Sequence, residues 1–235
     1  MELRAGESVE LGVGGRPILV ELIRSAKARW PRLELRLHRG VRVVLPERAS
    51  QSEAEKLIRS KSEWLLRHLK RFDRLQKIVP NRRLVSGERV PVLGEELTLE
   101  VTRGHAGVER RGSILAVSAW RVREALEEWY VAQAEREFRV RVETLARRFG
   151  ITIQRIRISR ARSRWGSCSR NGSISLNWRL MLGPSEVLNY LVAHELAHVG
   201  HPNHSTKFWA RVAELCPSYE ESEKWLRKNG VSLTL

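Results

Sequence analysis

His194-Glu195-Leu196-Ala197-His198 sits within a segment, Val187 to Val199, whose apolar residues recur as they do on a buried helix. Gly183-Pro184 marks its start, since proline is tolerated at a first helical position, and Gly200 marks its stop. On a helix, residues i and i+4 lie one above the other. Both imidazoles can therefore reach one ion while Glu195 points toward a water on that ion. Catalytic zinc takes three protein ligands and leaves a fourth position open, so the pattern asks for one more ligand. His204 can supply it, because Gly200 and Pro202 both discourage further helix and let the chain turn back. His201 is the rival: were the helix to run on, it would share a face with His194, although Pro202 disfavours helical backbone there. Glu214 and Glu186 are more remote carboxylate alternatives.

A chain of 235 residues can bury a substantial core without disulfides or a structural metal. Cys168 and Cys216 form no paired or CxxC pattern, and no charged-then-apolar leader precedes them, so a reducing, cytoplasmic setting is expected. No apolar run approaches the roughly 20 residues of a membrane helix, so no membrane partner is expected. Asp73 is the only aspartate, which removes sites built on clustered aspartates, including EF-hand loops, Walker-B strands and most two-magnesium centres. The net charge is +16, and residues 136 to 170 carry eleven arginines against Glu137 and Glu143. Such a stretch can dock a polyanion such as nucleic acid, or it can be a solvated arginine coat.

Short apolar–polar alternations at Ile18 to Leu22, Leu33 to Leu37 and Val41 to Leu45 predict antiparallel strands. Ser50 and Glu53 form a capping box ahead of one helix over about residues 50–76, with Ile58, Leu65, Leu69 and Phe72 at helical spacing. Strand-like alternation returns over residues 84–117, with Gly87, Gly94 and Gly104 as turn signals. A long helix from Trp120 to Phe149 follows, ended by Gly150. Strands are expected at Ile151 to Ser159 and Gly172 to Trp178. Helices are expected near 205–215 and 218–229, the second with a Ser218/Glu221 capping box. No internal repeat is apparent. The fold class is α+β: a mostly antiparallel β-rich portion over residues 1–117 with one helix, then a mixed helix–strand portion over 118–235.

A histidine six residues past HExxH is also the metzincin spacing. Metzincins, however, place glycine where His201 stands and need a downstream methionine, and no methionine follows Met181. Arg164-Trp165-Gly166-Ser167-Cys168, then Ile174 to Leu180, then the His194 to His198 helix, then Asn203-His204-Ser205 with Phe208-Trp209 together resemble the YgjP-like metallopeptidase-domain family of zincin relatives. The early strands, Val44-Leu45-Pro46 and the Trp64-bearing helix extend the similarity over nearly the whole chain. A weaker similarity, in the metal helix and the later His-x-x-x-Phe-Trp, links the chain to the SprT and WLM proteases. The resemblance implies a zincin-like half with the HExxH helix beside a small sheet, His194, His198 and His204 as metal ligands, and Glu195 as the catalytic residue. It gives His201 no role. In such a fold the strand before the metal helix borders the cleft, and Gly172 to Trp178 is assigned to it.

Arg160, Arg162 and Arg164 alternate ahead of the Trp165-Gly166-Ser167 turn, which predicts one side of an extended segment approaching the cleft, able to bind phosphate or a substrate carboxylate. Trp165 and Trp178 are expected as core anchors, and Phe208 and Trp209 as packing that fixes His204. Cys168 is expected as a reduced structural thiol, and Tyr190 can line the site. Three activities stand open: zinc-dependent hydrolysis of peptides or proteins, metal-dependent hydrolysis of nucleoside triphosphates, and proteolysis of nucleic-acid-bound proteins. The sequence does not speak to oligomeric state.

Overall fold

A computed structural model describes residues 7–36, 40–103 and 107–235; Leu37 and Gly104, read above as a strand end and a turn signal, lie outside them. Gly14 and Gly15 both take positive φ, 57° and 76°, the backbone of a two-residue hairpin turn whose twist matches its strands. They fold β1 (Glu7–Val13) directly onto β2 (Arg16–Arg24). With β3 (Arg32–Arg36) and β4 (Gly40–Leu45), these strands form a sheet of order β1-β2-β4-β3. The expected antiparallel pattern is interrupted once: β2 and β4 run parallel.

The single helix expected over 50–76 is two, α1 (Gln51–Ser60) and α2 (Ser62–Ile78), separated at Lys61. Ser60 Oγ donates to the Leu57 carbonyl, the local side-chain bond by which serine competes with the helical ladder. The Ser50/Glu53 capping box is present. Val20, Val43, Leu45, Ala54, Ile58 and Leu65 form the core of this unit.

β5 (Arg89–Val92), β6 (Glu95–Thr102), β7 (Val108–Arg111) and β8 (Ile114–Ser118) make a second sheet of order β5-β6-β8-β7, again with one parallel pair, β6 with β8. The two sheets thus share one connectivity, although no repeat is visible in the residues. Leu93 and Gly94 repeat the positive-φ turn, at 50° and 92°, and the Leu93 N–H is tied to the Met181 carbonyl at 2.7 Å.

The chain divides into compact units at Val79 and Pro80, not near residue 117. Val90, Leu97, Leu99, Leu115 and Val117 of the second sheet belong to the core built by the later helices. Alternation along a strand reports that one face is buried but not which helix buries it.

That later core is organised by α3 (Val122–Arg148), whose Leu126, Tyr130, Ala134, Phe138, Val142 and Ala146 repeat every four residues and are all buried. The small sheet follows: β9 (Arg155–Ser159), β10 (Gly166–Cys168) and β11 (Ser173–Asn177), in the order β10-β11-β9. Ile156, Ile158, Ile174 and Leu176 point to its inner side against the core. A 3-10 turn, Trp178–Leu182, leads to α4 (Ser185–Gly200), α5 (Thr206–Leu215) and α6 (Tyr219–Asn229). Ser218 makes no side-chain cap at α6, contrary to the expected capping box. Trp178 is buried as an anchor, and Trp165 packs against Gly230.

Asn177 is 2% exposed and ties three segments together. Its Nδ2 donates to the Ala161 and Arg164 carbonyls at 2.7 and 3.0 Å, and its Oδ1 accepts from the Arg179 N–H at 3.1 Å. Asn177→Leu leaves these buried groups unpaired and is expected to lower stability by about 3 kcal/mol, read as a lower urea midpoint.

Candidate metal centre

α4 is buried along most of its circumference by residues such as Val187, Leu188, Leu191, Val192 and Leu196, and His194 and His198 are part-exposed where they meet a cleft. The chain leaves α4 at His201, and Pro202 keeps it from continuing as helix. Ser205 then starts α5, its side chain accepting from the Phe208 N–H, which sets His204 just ahead of that helix. The turn back brings three imidazoles together: one ring nitrogen each from His194, His198 and His204 lies within 4.8 Å of the others.

The donor set fits a small divalent cation. In a tetrahedral shell with nitrogens about 2.0–2.1 Å from the ion, ligand nitrogens sit about 3.3 Å apart, and His194 Nε2 and His204 Nε2 are 3.2 Å apart. His198 Nδ1 is 3.1 Å from the His201 carbonyl. An N–H donated there leaves the Nε2 lone pair free for the ion. Tyr190 Oη lies 3.4 Å from His194 Nδ1 and plays the corresponding part. Burial, followed by the neighbouring His198 and His204, pushes His194 down to about 4, so its ring is neutral at pH 7. Fully buried Phe208 packs against the whole set, edge-on to His194 and His204 and tilted against His198, with ring centroids 4.9, 4.7 and 4.5 Å away.

Glu195 is 4% exposed, and its Oε2 has no hydrogen-bond partner among the described residues. Burial pushes its carboxyl up to about 8, and a cation on the adjacent imidazoles would draw it back toward the ionised form. Gly166 makes room for it: a Cβ there would stand 2.2 Å from Glu195 Oε1 and 2.7 Å from its Cδ. Gly166→Ala is therefore expected to keep fold and metal content yet lower turnover by about 100-fold through displacement of the carboxylate, measured by kinetics beside metal analysis.

The cleft, about 740 Å³, is lined by Gly166 to Arg170, by His194, Glu195, His198 and Val199, and by Pro202 and His204. Its bordering strand is β10, not the segment Gly172 to Trp178. β11 lies in the middle of the sheet with both edges paired, and β10 holds the outer edge. β10 escaped notice because three residues, Gly-Ser-Cys, carry no legible alternation.

Arg160, Arg162 and Arg164 are exposed and lie in the irregular connection between β9 and β10, so strand alternation does not govern them, and none lines this cleft. The arginine that does is Arg170, in the turn after β10. His201 contributes its carbonyl to His198 while its side chain lines a separate hollow with Phe149 and Arg211. Glu214 is paired with Arg211 at 2.6 Å, and Glu186 lies in the first turn of α4. Cys168 faces inward, its thiol pushed up to about 11 by burial and then by Glu195. This is the reverse of what neighbouring arginines would do.

The family profile described as YgjP-like, metallopeptidase domain, matches residues 31–229. The chain belongs to this family. Two metallopeptidase zymogens of known structure are also similar over part of the YgjP-like chain. Abylysin of Pyrococcus abyssi is 23% identical, with 39% of this chain and 93% of its own covered and a TM-score of 0.35. Jannalysin of Methanocaldococcus jannaschii is 20% identical, with 39% and 94% covered and a TM-score of 0.34. These likenesses are slight. No curated protein matches the chain. Among the described residues no helix is long and apolar enough to cross a membrane.

Proposed function

We propose that this YgjP-like domain is a zinc-dependent peptidase in which His194, His198 and His204 hold the metal and Glu195 is the general base. The observation that carries the reading is the buried Glu195 carboxylate, with one oxygen unpartnered, one residue along the helix from an imidazole triad. Zinc, when bound, supplies a Lewis acid for the scissile carbonyl and brings a water's pKa close to neutrality. Glu195 takes a proton from the attacking water as its oxygen bonds to the carbonyl carbon. The same carboxyl returns that proton to the leaving amine nitrogen as the C–N bond breaks. Gly166 leaves the carboxylate space to do so, and Phe208 holds the imidazoles in register. β10 lines the cleft and has one edge without a strand partner among the described residues, so an extended peptide can add to it as a further strand by backbone pairing.

Nucleoside triphosphate hydrolysis loses its main support, since Arg160, Arg162 and Arg164 do not line the cleft. The test is purified protein assayed for metal content, against a peptide library and a nucleotide panel, before and after chelation and zinc return. Peptide cleavage lost with zinc and restored with it is the expected result. Phosphate or diphosphate release with peptides untouched would reject the peptidase reading.

A further inference from the structure

The small sheet has two unlike sides. Pairing register places Arg155 beside Ser173 and Arg157 beside Ser175. These residues point away from the core-facing Ile156, Ile158, Ile174 and Leu176, because successive strand residues face opposite sides. The outer side is thus a short polar platform with serine hydroxyls in its middle and two exposed arginines along β9.

Arg160 and Arg162 follow directly on the end of β9, and Arg179, two residues past the end of β11, lies over the buried Trp178 ring, 4.7 Å from its centroid. Arg179 is half-buried, and its Nη1 is enclosed with no hydrogen-bond partner among the described residues. Burial lowers its guanidinium from the ordinary value, Glu127 opposes this, and Arg162 and Arg160 lower it further, so two more exposed guanidinium groups stand near it. Of the arginines between 136 and 170, only Arg139 and Arg141 carry ion pairs among the described residues. Arg155, Arg157, Arg160 and Arg162 have none there.

We infer that this outer sheet face is a docking surface for the phosphate backbone of double-stranded nucleic acid. Arginines present planar donor forks that match phosphate oxygens, and short hydroxyls between them let the backbone approach closely. The strand positions of the face carry no aromatic side chain on which unpaired bases could stack, which favours duplex over single strands. They carry no apolar side chain to insert into a bilayer, which disfavours a lipid surface. A strand face that meets phosphates alone reads no base edges, so recognition is independent of sequence. This inference does not rest on the peptidase reading, because Arg155 and Arg157 lie on β9, at the other edge of the sheet from β10, and neither lines the cleft.

The test is fluorescence anisotropy of the full chain with labelled duplexes of unrelated sequence, titrated at salt from about 50 to 200 mM. Duplexes of different sequence should bind equally, with affinity falling steeply as salt rises. Arg155→Ser/Arg157→Ser should weaken binding at least about 10-fold at low salt and flatten the salt slope by about 2, roughly one for each arginine that no longer meets a phosphate. Its circular dichroism spectrum and metal content should match those of the parent. Arg83→Ser/Arg89→Ser, which removes two exposed arginines outside this sheet, should bind like the parent. Absence of duplex binding at low salt, salt-independent binding, equal losses in both double variants, or equal binding to phosphatidylserine vesicles would each overturn the inference.

Discussion

Glu195→Gln is expected to retain the parent's metal content and lose about 10²–10⁴-fold in peptide turnover, the usual contribution of a positioned general base. Gln is close in size to Glu, so it fits the space that Gly166 leaves, and the three imidazoles are untouched. What disappears is the ability to take and return a proton. Stability is expected to hold or rise, because a buried carboxylate with an unpartnered oxygen is replaced by a neutral amide. Metal analysis, thermal denaturation and peptide kinetics on one preparation check all three. Turnover within a few-fold of the parent would remove Glu195 from the chemistry.

His204→Ala is expected to act at the metal instead. The residue is exposed and precedes the Ser205 cap, so its removal costs little folding energy. It leaves two of the three ring nitrogens. The loss of metal affinity should exceed the about 10–100-fold typical of removing an outer partner of a ligand, with activity falling in step unless zinc is in large excess. His201→Ala is the informative companion: His198 bonds the backbone carbonyl of residue 201, which alanine preserves, so metal affinity should be unchanged. Equilibrium competition with a chromogenic chelator measures both. Equal losses in the two variants, or a loss only at 201, would reassign the third ligand.

Much of the candidate site's geometry was readable because it is local. His194, Glu195 and His198 lie within one helical turn, so helix geometry alone places them, and the Gly200 and Pro202 breaks told where the chain turns back toward His204. The helices from α3 onward were readable for the same reason, since a periodic apolar stripe is a property of neighbours in the chain. The break at Lys61 was harder, because a serine pair weakens a helix by only tenths of a kcal/mol per residue.

What escaped depended on partners distant in the chain. β10 is a strand only because β11 pairs with it, and Gly166 matters only because α4 carries Glu195 past it. Arg160, Arg162 and Arg164 looked like one side of a strand, but the side chain of Asn177 holds the connection in another shape. The parallel pairings within both four-stranded sheets, and the allegiance of β5 to β8 to the later core, are likewise invisible to alternation. Residue identity and spacing decided which groups could hold a metal and move a proton, because those are matters of donor chemistry and helical pitch. Packing between remote segments decided which strand borders the cleft, which arginine reaches it and what surrounds Glu195, because a buried face accepts many partners and only the folded chain selects one.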